Sequence, residues 1–236
     1  PYPSFTRLVP SPAVSATRRY FSTDPTTLAK RLLGAALVRI LDDGTRLAGT
    51  IVETEAYLGA EDKAAHSVNG RRTARTEPMF GPPGTAYVFQ TYGMHNCFNV
   101  VCGRAGDPVA VLVRALHPTE GLERMRALRA RPVSRNAAPR DPAAIRDTDL
   151  CAGPARLCHA LDITRDLNAA DLTTSPDLFI ESARRRVADT RLVTTPRIGV
   201  DYAEEWAEAP LRFHLADCPH VSRPPASRKP RRRTVR

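Results

Sequence analysis

Apolar and polar positions along the chain form mostly strand-length runs bounded by turn residues. AALVRI (35–40) predicts a strand, Asp42-Asp43-Gly44 a turn, and TRLAGTIVETEAYL (45–58) the long second strand of a hairpin. GTAYVFQTYGMHNCFNVVC (84–102) reads as strand, turn, strand, with Gly93 near the turn. PVAVLVRAL (108–116) is apolar at nearly every position, the pattern of a strand buried on both faces. TTPRIGV (194–200) and LRFHL (211–215) predict late strands. Helical signals are fewer. Asp24-Pro25 supplies an N-cap and a first-turn proline for a helix that Gly34 ends. TEGLERMRALRA (119–130) puts Leu122, Met125 and Leu128 on one side of a helix, and GPARLCHALDI (153–163) predicts a short one. Residues 132–148 hold three prolines and little periodicity, so a surface loop is expected. Hairpins outweigh βαβ units, which predicts a single mixed α+β domain with a largely antiparallel sheet.

Composition adds a partner class. The chain has 236 residues, 42% apolar and 25% charged, with 35 Lys and Arg against 25 Asp and Glu and a formal charge of +10. This is a globular composition whose basicity points to a polyanion. Only Lys30, Lys63 and Lys229 are lysines, so the base is arginine, whose fork suits phosphates. A codon bias toward Ala, Pro and Arg produces the same ratio. The charge is local: residues 1–19 carry three arginines and residues 223–236 seven basic groups, without an acid in either, leaving 25 basic against 25 acidic residues between. Residues 1–20 and 223–236 are therefore expected to be flexible basic tails, the latter disordered, around a domain spanning 21–222. No run approaches the ~20 apolar residues of a membrane helix, and the start lacks a signal-type stretch, so a cytoplasmic protein is expected. Five scattered cysteines without a CxxC pair predict buried thiols rather than a disulfide frame or zinc ribbon.

Four segments place polar residues in apolar surroundings. In VETEAYLGAEDKAAH, Glu53, Glu55 and Tyr57 share one strand face, with His66 downstream. Two carboxylates beside a tyrosine suit acid–base chemistry, although a solvated polar face has the same pattern. In RRTARTEPMFGPPG, Arg71, Arg72 and Arg75 suit phosphates or form a solvated basic loop. In YGMHNCFN, Tyr92 and Met94 bracket Gly93 at a turn, placed to wedge between bases or merely to cap the core. Arg114 stands alone in an apolar strand and must pair with a carboxylate or an anionic substrate. The histidines lack metal-ligand spacing, and there is no P-loop, HExxH, GxSxG or helix-turn-helix pattern.

The chain resembles the alkyladenine DNA glycosylase (mammalian-type 3-methyladenine DNA glycosylase) family in AKRLLGAALVR, GTRLAGTIVETEAYLGAEDKAAHS, GRRTARTEPMF, PPGTAYVFQTYGMHNCFNVV, AVLVRALHPTEGLERMR, DLCAGPARLCHALDI, RIGV and PLRF, in family order. The resemblance implies a curved antiparallel sheet with surrounding helices, similar to a formyltransferase C-terminal domain, and a β-hairpin that enters the DNA minor groove. It implies a monomer that flips alkylated purines, 3-methyladenine and 7-methylguanine, and deaminated or etheno purines as well, out of double-stranded DNA and hydrolyses the glycosidic bond. No metal or cofactor is implied, and the setting is a bacterial nucleoid. By the same likeness Glu55 is the general base, Arg114 lies near the attacking water and the DNA backbone, and the Ile198 carbonyl helps hold that water. Tyr57, His66, Phe89 and Asn99 form the base pocket, Tyr92 and Met94 intercalate, Met79 borders the pocket, and Arg71, Arg72 and Arg75 are candidate phosphate contacts. Phe89 departs from the family's stacking tyrosine: the ring is kept and the hydroxyl lost. Neutral lesions also need a proton, for which water and His66 are the candidates. A non-catalytic DNA-binding module, a metal hydrolase built on Glu53, Glu55 and Asp62, and a formyltransferase-type domain are the rival readings.

Overall fold

Strand pairing follows the hairpins. The computed structural model describes residues 15–134, 137–183 and 185–222. Its main elements are α1 (Arg18–Phe21), α2 (Pro25–Leu32), β1 (Ala36–Ile40), β2 (Arg46–Tyr57), β3 (Ala86–Thr91), β4 (His95–Val101), β5 (Ala110–Glu120), α3 (Leu122–Ala130), α4 (Asp147–Leu150), α5 (Pro154–Ala160), β6 (Leu178–Glu181), β7 (Leu192–Thr195) and β8 (Arg212–Leu215). The strands make one curved sheet in the order β3-β4-β5-β2-β1-β6, with β8 on β2 and β7 on β8. Every pairing is antiparallel. β2 joins the two halves: residues 46–50 pair with β1, and residues 53–55 pair with β8.

One face of the sheet carries the main core, closed by Phe21 of α1, Leu28 and Leu32 of α2, Met125 and Leu128 of α3, and Leu157 of α5. Burying each such side chain contributes about 1.5–3 kcal/mol. The N-cap reading of α2 holds, since the Asp24 side chain accepts from the Thr27 N–H at 2.8 Å and Pro25 opens the helix. Thr54 faces this core and satisfies its hydroxyl on the Ala29 carbonyl at 2.9 Å. Its neighbours Glu53 and Glu55 therefore face the opposite side, as the strand period requires.

Simple alternation fails near Ala48, where Thr119 is extra on β5, and again at the site. Between Ile51 and Thr54 the β2–β5 register shifts twice: Val52 is extra on β2 and Arg114 is extra on β5. The two bulges cancel, so the strands stay paired beyond them. A bulge re-aims a side chain and twists its strand. This one lets Ala115 and Leu116 both enter the core while Arg114 turns to the carboxylate face.

Several boundaries depart from the sequence pattern. β5 runs on through Glu120, and α3 starts only at Leu122, because Gly121 turns the corner at φ +75°. A Cβ at Gly121 would sit 2.8 Å from the Arg46 carbonyl oxygen. The expected strand at 194–200 is displaced: β7 ends at Thr195, and Pro196, having no N–H for the ladder, opens the loop that carries Ile198. The loop expected at 132–148 contains a 3₁₀ turn at Pro142–Ala144, and α4 begins within it at Asp147. β6, formed by the LFIE run, was not foreseen. Residues 15–20, assigned to the N-terminal tail, lie against the fold: Ser15 bridges to Glu181 and Arg18 pairs with Asp171 at 2.5 Å. The rest of that segment, residues 1–14, and the C-terminal tail, 223–236, lie outside the described residues.

Candidate active site

Across the non-core face, the register aligns Tyr87 of β3 with Asn99 of β4, Asn99 with Leu112 of β5, and Leu112 with Glu55 of β2. One row of the sheet thus links the carboxylate to the aromatic strand. Glu55 is fully buried. Its Oε1 accepts the Ile198 N–H at 2.8 Å and lies 3.2 Å from Arg114 Nη1, while its Oε2 accepts the Tyr57 hydroxyl at 3.0 Å. Two hydrogen bonds and one guanidinium thus fix both oxygens of this buried carboxylate.

Glu53, also fully buried, anchors the other end of Arg114. Its Oε1 accepts from Arg114 Nε at 3.1 Å, Arg212 Nε at 2.6 Å and the Ser222 hydroxyl at 2.8 Å, and its Oε2 accepts the Ser222 N–H at 2.7 Å. Burial raises its pKa, but Arg114 and Arg212 outweigh that and hold it below the usual carboxylate value. Two carboxylates and two guanidiniums make a buried cluster of zero net charge. Arg114 is held in its charged form: burial disfavours the charge, and Glu55 and Glu53 restore it. A second ion pair props Tyr57, where Arg197 binds Asp62 through two nitrogens at 2.5 and 2.8 Å and lies 4.7 Å over the Tyr57 ring. Burial and the Glu55 charge push the Tyr57 hydroxyl well above its ordinary pKa, so it donates rather than ionises.

Beside this centre lies an aromatic wall. The His66 and Phe89 rings meet edge-on with centroids 4.5 Å apart, and Tyr87 and Phe89 lie 5.4 Å apart. Met79 packs behind Tyr87. His66 Nδ1 hydrogen-bonds the Tyr87 hydroxyl at 2.9 Å. Burial, with Arg75 and Arg71 nearby, lowers the His66 pKa to about 4. That shift disfavours the charged imidazole and makes His66 a weaker proton donor than a free histidine.

At the far end of β3 and β4 the chain turns through Tyr92, Gly93 and Met94. Tyr92 is 88% exposed and has φ +52°, a left-handed conformation that costs a non-glycine residue roughly 1–2 kcal/mol. Met94 is exposed beside it. An aromatic ring held in solvent on strained backbone is a poor stabiliser of the fold and a good candidate for contact with a partner.

A model of the methylpurine-DNA glycosylase family matches residues 19–219. The chain belongs to that family. It is 44% identical to the DNA-3-methyladenine glycosylase of Homo sapiens over 86% of this chain and 66% of that protein, and 45% identical to the Mus musculus protein of the same name over 86% and 60%. A putative 3-methyladenine DNA glycosylase of Clostridium botulinum is 42% identical over 87% of this chain and 98% of its own length. The chain thus spans about two thirds or less of the mammalian relatives and nearly all of the bacterial one.

In this glycosylase-family site, Glu55, Arg114, Ile198 and Tyr57 come together, and His66 and Phe89 form the adjoining wall. Asn99 is buried and spends its amide on the Tyr87 carbonyl at 3.0 Å. The three loop arginines differ. Arg72 is committed to Glu77 at 2.6 Å and to the Phe80 ring, Arg75 covers Phe89 at 5.2 Å, and Arg71 is exposed. Arg212, Arg197, Tyr87 and Ser222 were not singled out from the sequence. Arg212 has the signal that marked Arg114, a charge between apolar strand neighbours; Ser222 has none.

Proposed function

We propose that the protein excises alkylated purines, 3-methyladenine and 7-methylguanine among them, from double-stranded DNA, leaving an abasic site, and that deaminated and etheno purines fall within its range. The observation that carries this reading is Glu55: a buried carboxylate held by two hydrogen bonds and a guanidinium, on the same sheet face as the aromatic wall.

A glycosidic bond inside a duplex is out of reach, so the nucleotide must first be extruded at a cost of a few kcal/mol. Tyr92 and Met94 at the hairpin tip fill the gap it leaves. The freed base stacks on Tyr57 and Phe89, at about 1–3 kcal/mol per contact, and a cationic alkylpurine gains a further cation–π attraction. As the C1′–N bond breaks, its electron pair leaves with the purine and the sugar acquires oxocarbenium character. The Glu55 carboxylate stabilises that charge, orients water toward C1′ and accepts the water's proton. Arg114 lies against Glu55 and fixes its rotamer, and the Ile198 backbone closes the site from the 196–200 loop. For a neutral purine, solvent water supplies the proton, so excision of hypoxanthine slows as pH rises. Phe89 stacks without a hydroxyl, which favours cationic bases over those needing a hydrogen bond. Among the described residues no helix is long and apolar enough to cross a membrane; a monomer acting in the nucleoid completes the reading.

Single-turnover release of free base from a duplex with one lesion is the test. Glu55→Gln keeps DNA binding and slows release by about 10²–10⁴-fold. A mutant that cleaves at the wild-type rate overturns the assignment of Glu55, and a wild-type protein that binds DNA without releasing base is a binding module instead.

A further inference from the structure

Each strand of the β3–β4 hairpin walls a hollow. The β3 hollow contains Phe89 and Arg75 and belongs to the site already described. The other, of about 460 Å³, begins at His95, where β4 leaves the turn, and is closed by the end of α3, residues 131–133 and 137–140, and α5. Four guanidiniums line it, from Arg129, Arg131, Arg140 and Arg156, together with His159.

The unusual member is Arg129. It is only 8% exposed, its Nε is buried without an acceptor, and among the described residues no carboxylate lies within salt-bridge distance of it. Buried guanidiniums are normally paired, because stripping their water is costly. His159 Nδ1, on the same wall, is likewise buried without a partner. The nearby carboxylate Asp149 is already divided between Arg146 at 2.7 Å and Arg156 at 3.2 Å. Burial and the charges of Arg156 and Arg140 lower the Arg129 pKa to about 10, and Asp149 opposes them only in part. Such a cluster is completed by an anion. Arginine forks favour a phosphate, which offers several acceptor oxygens to converging donors.

We propose that this cavity is a phosphodiester-binding site for duplex DNA, anchored by Arg129 with Arg131, Arg140 and Arg156 around it. The inference rests on the DNA-directed reading above. It places a backbone clamp at the neck of the hairpin whose tip carries Tyr92. The phosphodiester belongs either to the lesion-bearing strand or to its complement.

The test is the salt dependence of binding to an undamaged duplex, read by fluorescence anisotropy, for wild type, Arg129→Gln and the exposed double variant Arg131→Gln/Arg140→Gln. The double variant keeps the experiment decisive should Arg129→Gln lose its fold. Each lost phosphate contact flattens the slope of log K against log salt by about 1, and loss of Arg129 weakens binding by about tenfold. Duplexes with single methylphosphonates walked along each strand separate the two sources. A position that weakens wild type but not the variants identifies the contacted phosphate and its strand. Wild-type slopes in both variants, or no such position on either strand, overturn the proposal. Base release by wild type from a lesion duplex is measured alongside. Its absence sinks the glycosylase reading, whereas release with unchanged slopes sinks the cavity alone.

Discussion

Among individual residues, Glu53 is as consequential as Glu55, though it is not placed to touch substrate. It neutralises Arg212, shares Arg114 with Glu55, and accepts both the backbone N–H and the hydroxyl of Ser222. Glu53→Gln leaves two buried guanidiniums with one carboxylate between them. Removing one partner from a buried ion pair costs about 3–5 kcal/mol. Urea denaturation is expected to show a loss of that size, and a loss below about 1 kcal/mol, the range of an exposed pair, contradicts the buried-cluster account. Ser222→Ala removes one hydroxyl while the Ser222 N–H bond to Glu53 stays, so its cost is smaller, about 1 kcal/mol. The carboxylate pair was legible because two glutamates two apart in a strand share a face. Their different jobs were not, since partners such as Arg212 lie far away in sequence.

For the elements, the β3–β4 hairpin shows stability given up at a place suited to contact. Tyr92 occupies left-handed backbone that asparagine tolerates better. Tyr92→Asn is therefore expected to leave the melting temperature unchanged or raise it, while weakening binding to lesion DNA about tenfold more than to undamaged DNA. Equal losses on both duplexes, measured by anisotropy, argue against a wedge. The hairpin was readable because alternation and the Tyr-Gly pair are local signals. The paired bulges at Val52 and Arg114 were not, because a bulge is a relation between two strands. The loop carrying Ile198 was misread as strand for a similar reason: TTPRIGV has strand composition, but Pro196 ends the ladder.

Over the whole molecule, acid sensitivity follows from histidines whose pKa burial lowers: His66, His220, His117 and His159. His66 and His220 both have pKa values lowered to about 4, chiefly by burial; His220 also stacks on His117 at 4.2 Å. The unfolded chain takes up these protons near pH 6.5 and the folded chain does not, so stability declines as pH falls from about 6.5 toward 4. Glu53 adds a further loss at lower pH, as its depressed carboxyl is protonated. Melting temperature against pH checks this: His220→Gln is expected to flatten the limb between pH 6.5 and 4, and an unchanged limb refutes the linkage. Charge acts at the same scale. A chain ending at Ser222 loses seven basic groups. It is expected to bind undamaged duplex with a flatter salt slope and still excise bases, because the buried cluster around Glu55 is complete without them.

The sequence by itself determined the strand-rich class, the hairpins, the shared face of Glu53, Glu55 and Tyr57, and the family likeness in which Tyr92, His66 and Phe89 have roles. These follow from periodicity and residue chemistry within short windows. Only the tertiary structure decided that Arg114 joins both glutamates, that Arg212 completes the charge balance and Ser222 the hydrogen bonds of Glu53, that burial lowers the His66 pKa, and that Arg129 is buried without a counterion among the described residues. Each of these depends on desolvation and on partners brought together from distant parts of the chain, and a linear pattern encodes neither.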